Sequence, residues 1–107
     1  MIYLASPYSH EDRMVEINRF VGAQRFTAFW LERGYPIFSP IVYSHQFVTY
    51  GLGRSAADWH TFNNEMMNLA DRLWVLRMEG WDLSVGVNFE IEHFNARGIV
   101  AEMQELV

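Results

Sequence analysis

Short apolar runs alternate with longer stretches of helical periodicity along the whole chain. Ile2–Ala5 is a continuous apolar run closed by Ser6-Pro7, the pattern of a strand buried on both faces. Ser9 with Asp12 three residues on resembles a capping box. Met14, Ile17, Val21, Ala28 and Leu31 then recur at helical spacing as far as Gly34, a natural helix terminator. Tyr35–Phe38 predicts a second strand, stopped by Ser39-Pro40. Ile41–Gly53 keeps neither period and predicts a loop holding at most a turn of helix. Ser55 and Asp58 repeat the capping pattern ahead of a helix carrying Trp59, Phe62, Met66 and Leu69. Leu73–Leu76 predicts a third strand and Gly80-Trp81 a loop. A third helix runs from about Ser84 to Arg97 and is closed by Gly98. Ile99–Ala101 predicts a fourth strand, with a short helical tail after it.

Strands alternating with helices imply βαβ units, a parallel sheet and right-handed crossovers. The expectation is one α/β domain over residues 1–107, three layers deep, around a short parallel sheet of four to five strands. Ligands of such sheets bind outside the carboxyl ends of the strands. Three segments reach that edge: Ser6–Ser9, Ser39–Tyr43 and Met78–Ser84. They gather Ser6, Tyr8, Ser39, Trp81 and Ser84 around the start of the third helix.

The segment Gly80-Trp81-Asp82-Leu83-Ser84-Val85-Gly86-Val87-Asn88-Phe89-Glu90 carries the most chemistry. Helical side chains tilt toward the N-terminus, over the residues three and four positions earlier. The residue four before Glu90 is Gly86, so the space over this carboxylate is free of a side chain and open to a small ligand. A carboxylate near a helix N-terminus is expected to stay ionised, because the dipole favours negative charge there. An ionised carboxylate in a crevice can attack, or electrostatically support, a sugar anomeric carbon as its bond to a base breaks. The plainer alternative makes Glu90 a solvated helix residue and Gly86 a close-packing position. A helix-cap role alone explains Ser84, while its hydroxyl beside free helix N–H groups would suit a phosphate or sugar hydroxyl, and the two roles can coexist. Trp81 is a lid or an interface residue, and Val87, Ile91 and Phe94 should pin the helix to the sheet.

Composition narrows the function. Thirteen acids face eight bases, for a net charge of −5, and every base is an arginine with none in a run. A nucleic-acid polymer, which needs clustered cations, is therefore not expected as partner. A small nucleotide remains compatible, since one phosphate can be held by backbone N–H groups and hydroxyls. No cysteine is present, so thiolate chemistry is excluded. The histidines at 10, 45, 60 and 93 lack metal-ligand spacing, and neither a metal nor a cofactor is expected. GxSxG, GxGxxG and Walker patterns are missing. The opening Met1-Ile2-Tyr3-Leu4-Ala5 reads as a strand rather than a signal peptide, and no apolar run is long enough for a membrane span. A cytoplasmic location is the expectation. An aromatic share of 16% in a short chain predicts self-association as a homodimer or larger homo-oligomer, through the Tyr43–Tyr50 loop and Trp81.

Tyr3-Leu4-Ala5-Ser6-Pro7-Tyr8 at the first strand, with Ser84-Val85-Gly86-Val87-Asn88-Phe89-Glu90-Ile91 at the last helix, resembles the nucleoside 2-deoxyribosyltransferase superfamily. That superfamily includes deoxynucleoside 5′-monophosphate N-glycosidases and small phage and bacterial members. The resemblance implies a flavodoxin-like, Rossmann-like sheet, a nucleophile at Glu90 and a catalytic tyrosine at Tyr3. It implies phosphate contact by Ser84, where the transferases tend to carry Asp, and so leans toward hydrolysis of a monophosphate. Tyr3 or Tyr8 would flank the base, and Ser6 stands where the family often has glycine. An acid that the family places before the third strand falls at Asn63, an amide that cannot relay a proton. The implied function is N-glycosidic chemistry on a small-molecule nucleoside or nucleotide. The alternative is a non-catalytic nucleotide-binding or interaction module of the same fold.

Overall fold

Four strands run parallel in the order β2-β1-β3-β4, with β1 at Ile2–Ala5, β2 at Ile37–Phe38, β3 at Arg72–Leu76 and β4 at Glu102–Gln104. The computed structural model describes residues 1–52 and 56–107. The connections hold α1 (Arg13–Glu32), α2 (Pro40–His45), α3 (Ala56–Leu69) and α4 (Val85–Ala96), with 3₁₀ turns at Gln46–Tyr50 and Trp81–Leu83. β1 pairs with both neighbours, Ile2 lying opposite Ile37 and Arg72, and Ala5 opposite Val75. All of β1 is buried, which is why its sequence is continuously apolar rather than alternating. The chain steps outward from β1 to β2, then returns across β1 to β3. That reversal leaves a crevice at the carboxyl ends of β1 and β3.

The strands' alternating side chains build two cores. Ile2, Leu4, Trp74 and Leu76 meet Ala23 and Phe26 of α1 on one face. Tyr3, Ala5, Leu73 and Val75 meet Met67 of α3 with Val87 and Phe94 of α4 on the other. The expected three-layer α/β domain, flavodoxin-like in its strand order, is therefore the observed one. Val87 and Phe94 are fully buried and Ile91 packs beside them, so α4 is pinned as its spacing predicted. Truncating Phe94 to Ala would cost about 3–5 kcal/mol in a packed core.

Several boundaries differ from the sequence expectation. Asp12 itself caps α1, accepting from the Met14 N–H, and Ser9 takes no part in the cap. The stripe Met14, Ile17, Val21, Ala28, Leu31 is not the sheet face. Met14 and Leu31 are at least half exposed, and the buried residues of α1 are Glu16, Ala23, Phe26 and Thr27. Apolar residues surround this helix on all sides, so periodicity alone could not choose the inner face. On α3, Met67 is buried while Leu69 is exposed, one position out of register with the expected stripe. Ser55 and its capping pattern lie outside the described residues.

The second strand is only two residues long, since Pro36 has no N–H to give; its carbonyl instead accepts from Ile2. The expected loop after it contains α2, whose signal was present: Ser39 at the N-cap accepts from Val42, and Pro40 occupies the first helical position. The last strand falls at Glu102–Gln104 rather than Ile99–Ala101, in place of the expected helical tail. Gly98, at φ 77°, turns the chain out of α4, and the Ile99 N–H caps the Phe94 carbonyl. Those residues are used in leaving the helix. Pairing resumes at Glu102, whose carboxylate takes a two-point contact from Arg72 on β3.

Candidate functional site

The site is built where β1 ends and α4 begins. Ser84 closes the turn at Trp81–Leu83 and caps α4, its Oγ accepting from the Val87 N–H at 3.2 Å. Gly80 turns the chain before it at φ 86°. A Cβ there would also crowd the end of the flexible Arg19 side chain at 2.5 Å, but it is the positive φ that calls for glycine. Gly86 is different, because a Cβ there would meet only the Ser84 Oγ, at 3.9 Å. The space over the first turn of α4 is open, as the Gly86–Glu90 spacing predicted.

Glu90 reaches back over that turn toward Tyr3 on β1. Burial pushes the Glu90 carboxyl pKa up to about 8, with the Tyr3 hydroxyl pulling it the other way. The expectation of an ionised carboxylate is therefore corrected. Glu90 is the sixth residue of α4, beyond the first turn where the dipole acts, and no cation acts on it to offset desolvation. Tyr3 is fully buried between Phe38 and Phe94. Its pKa is raised far above the ordinary value by burial first, then by the neighbouring Glu90. The two groups interact without closing a hydrogen bond of standard geometry, which leaves the Tyr3 hydroxyl unpartnered. The Ser6 Oγ and the Asn63 Oδ1 are likewise buried and unpartnered. Thr27, Trp30, Trp59, Asn64 and Trp74 also carry buried polar atoms without a partner, so the lack of a partner does not by itself single out this place.

The other expected residues divide. Trp81 packs partly buried against the core that holds Tyr3. Ser39 is buried and committed to capping α2. Tyr8 is turned away from Glu90, its hydroxyl held by Arg13 at 3.0 Å and His45 at 2.8 Å. Tyr43, Phe47, Trp59 and Phe62 pack on one another within the chain, which accounts for much of the aromatic excess.

The sequence did not single out Arg19. From α1 it donates to the Ser9 carbonyl at 3.0 Å and to the Glu79 carbonyl at 3.1 Å, tying the loop after β1 to the loop after β3. Beside it lies a recess of about 610 Å³ lined by Ser9, His10, Asn18, Arg19, Gly80 and Ser84. The Asp12 N–H donates to His10 Nδ1 at 2.9 Å, so a neutral His10 carries its proton on Nε2. Among the described residues no three His, Asp or Glu side chains group closely enough to hold a metal ion. None of the described helices is long and apolar enough to cross a membrane.

Fold and site together define a parallel α/β domain with a half-buried carboxyl, Glu90, beside a buried tyrosine, Tyr3, near its switch-point crevice. The chain belongs to the family described as a domain of unknown function, DUF1937, whose model matches residues 1–105. A search of curated proteins returns no match.

Proposed function

We propose that this domain cleaves or transfers the N-glycosidic bond of a nucleoside or a nucleoside 5′-monophosphate, with Glu90 as the nucleophile. The observation that carries the reading is the half-buried Glu90 carboxyl, facing the unpartnered Tyr3 hydroxyl with open space over Gly86. In this reading the ionised carboxylate adds to the anomeric carbon as the bond to the base breaks. The base leaves with the bonding electrons and is protonated by water, because Asn63 can hydrogen-bond a base but has no proton to relay. Water then hydrolyses the glycosyl ester, or a second base takes the sugar. Ser84 and the free N–H groups of α4 orient the sugar or its phosphate, and Tyr3 holds the carboxylate.

The raised pKa sets the test. A carboxyl group titrating near 8 is largely neutral at pH 7 in the free protein. If Glu90 is the nucleophile, kcat/KM for base release should therefore rise with pH and level off above about 8. If it instead donates a proton, the profile falls through the same range. The assay is release of free base from a panel of deoxynucleosides and their 5′-monophosphates, with and without a second base. Release without exchange identifies a hydrolase, and exchange a transferase. A neutral Glu90 and the amide at Asn63 favour one other reading, a binding module of the same fold. Ligand binding with no base release at any pH would establish it.

A further inference from the structure

A second buried polar group lies on the α1 side of the sheet, outside the proposed reaction. Glu16 is 2% exposed. It accepts from Arg13 at 3.0 Å through one oxygen and from the His10 N–H at 3.2 Å through the other. Arg13 also donates to the Tyr8 hydroxyl. That hydroxyl has one proton and already accepts from Arg13, so at 2.8 Å it donates to His45 Nδ1. His45, the last residue of α2, therefore carries its own proton on Nε2. Its ring stacks on Phe20 of α1 at 3.9 Å and meets Tyr8 edge-on. One hydrogen bond thus joins the loop after β1 to α2, across a face supplied by α1.

We propose that the Tyr8–His45 hydrogen bond is a proton-operated latch that holds the loop after β1, one wall of the site, against α2. Protonation turns His45 Nδ1 from acceptor into donor. Two cationic donors, Arg13 and His45, then converge on the Tyr8 oxygen, and the tyrosine proton loses its acceptor. The groups facing His45 are Arg13 and Glu16 from α1 and Tyr8 from the loop. Burial, then Arg13, lower its pKa below the ordinary 6.5, with Glu16 acting in the other direction. The folded state therefore favours neutral His45. The latch is closed at pH 6.5 and above, and its contribution is lost as pH falls below that value through the lowered pKa of His45. The loop that opens carries Ser6 and Ser9, so acid loosens the wall beside Ser84 and Arg19.

The test follows backbone amides and histidine rings by NMR from pH 8 to 5, with no substrate present. The amides of Tyr8 and Ser9 should shift with the same midpoint as the His45 ring, below 6.5. His10, the histidine of this loop, is separated by His10→Gln, which should leave that coincidence intact. His45→Gln can still accept from Tyr8 but cannot titrate, so the loop amides should hold their neutral-pH positions. Tyr8→Phe keeps the ring and removes the bond; His45 should then titrate while the loop stays silent. Loop amides that ignore the His45 titration in wild type overturn the proposal. A full loop response persisting in either variant overturns it too.

Discussion

Two buried polar clusters flank β1, and they are built in opposite ways. On the α1 side Glu16, Arg13, Tyr8 and His45 satisfy one another in a continuous chain. On the α4 side the Tyr3 hydroxyl faces the Glu90 carboxyl without a hydrogen bond of standard geometry, and burial raises the Glu90 pKa to about 8. The first cluster gives each buried charge a partner and so fixes geometry. The second leaves the desolvation of Glu90 without a cation to offset it. Burial alone would have ranked the two together; partner accounting separates them.

The comparison is broken most severely by Glu90→Gln. Base release should fall by at least about a thousandfold, as expected for loss of a covalent nucleophile, while stability rises. The sign follows from linkage. Between the ordinary 4.5 and about 8 the folded chain holds more protons than the unfolded chain, so wild-type stability declines as pH rises through that window. The glutamine variant lacks that decline. At pH 8 it should be the more stable by on the order of 2 kcal/mol, since partial exposure discounts the full 1.36 kcal/mol per pKa unit. At pH 4.5 the difference should nearly vanish. Thermal melts at both pH values check this, and equal pH dependence in the two proteins would remove the desolvated carboxyl from the account.

Gly86→Leu tests the open space in front of that carboxyl. Activity should drop at least about tenfold while the melting temperature holds or rises, because leucine is the better helix former by roughly 1 kcal/mol. Unchanged turnover would mean that substrate approaches from another side.

The satisfied cluster should respond in the reverse sense. Glu16→Ala removes the acceptor of both Arg13 and the His10 N–H, and should cost about 1–3 kcal/mol in chemical denaturation. Arg13 keeps access to solvent, which limits the loss. A neutral effect would mean that the network is dispensable and the contrast between the clusters fails.

Ser84→Ala should cost the fold about 1 kcal/mol for a lost helix cap. Its value lies in the substrate ratio. If Ser84 also holds a 5′-phosphate, kcat/KM for the monophosphate should fall tenfold or so, the worth of about 1.5 kcal/mol in one hydrogen bond to a charged group. The matching nucleoside should be spared. An unmoved ratio would reduce Ser84 to a cap.

Much of this molecule was legible in the chain. The continuous apolar run of β1, the strand–helix alternation, Ser84 as a cap and Gly86 placed four before Glu90 follow from local rules of period and side-chain direction. Those rules act over a few residues, so the sequence alone determines them. What it could not settle depends on neighbours distant along the chain. The inner face of α1 is chosen by packing on Leu4 and Leu76, not by its own pattern. β4 falls at Glu102 because pairing with β3 begins there, after Ile99 has been used in capping α4. Arg19 finds its acceptors ten and sixty residues away. The charge state of Glu90 depends on distant neighbours in the same way. A helix dipole can be read from position, but desolvation is set by whatever tertiary packing brings around the carboxyl, and here packing brings Tyr3 and no cation.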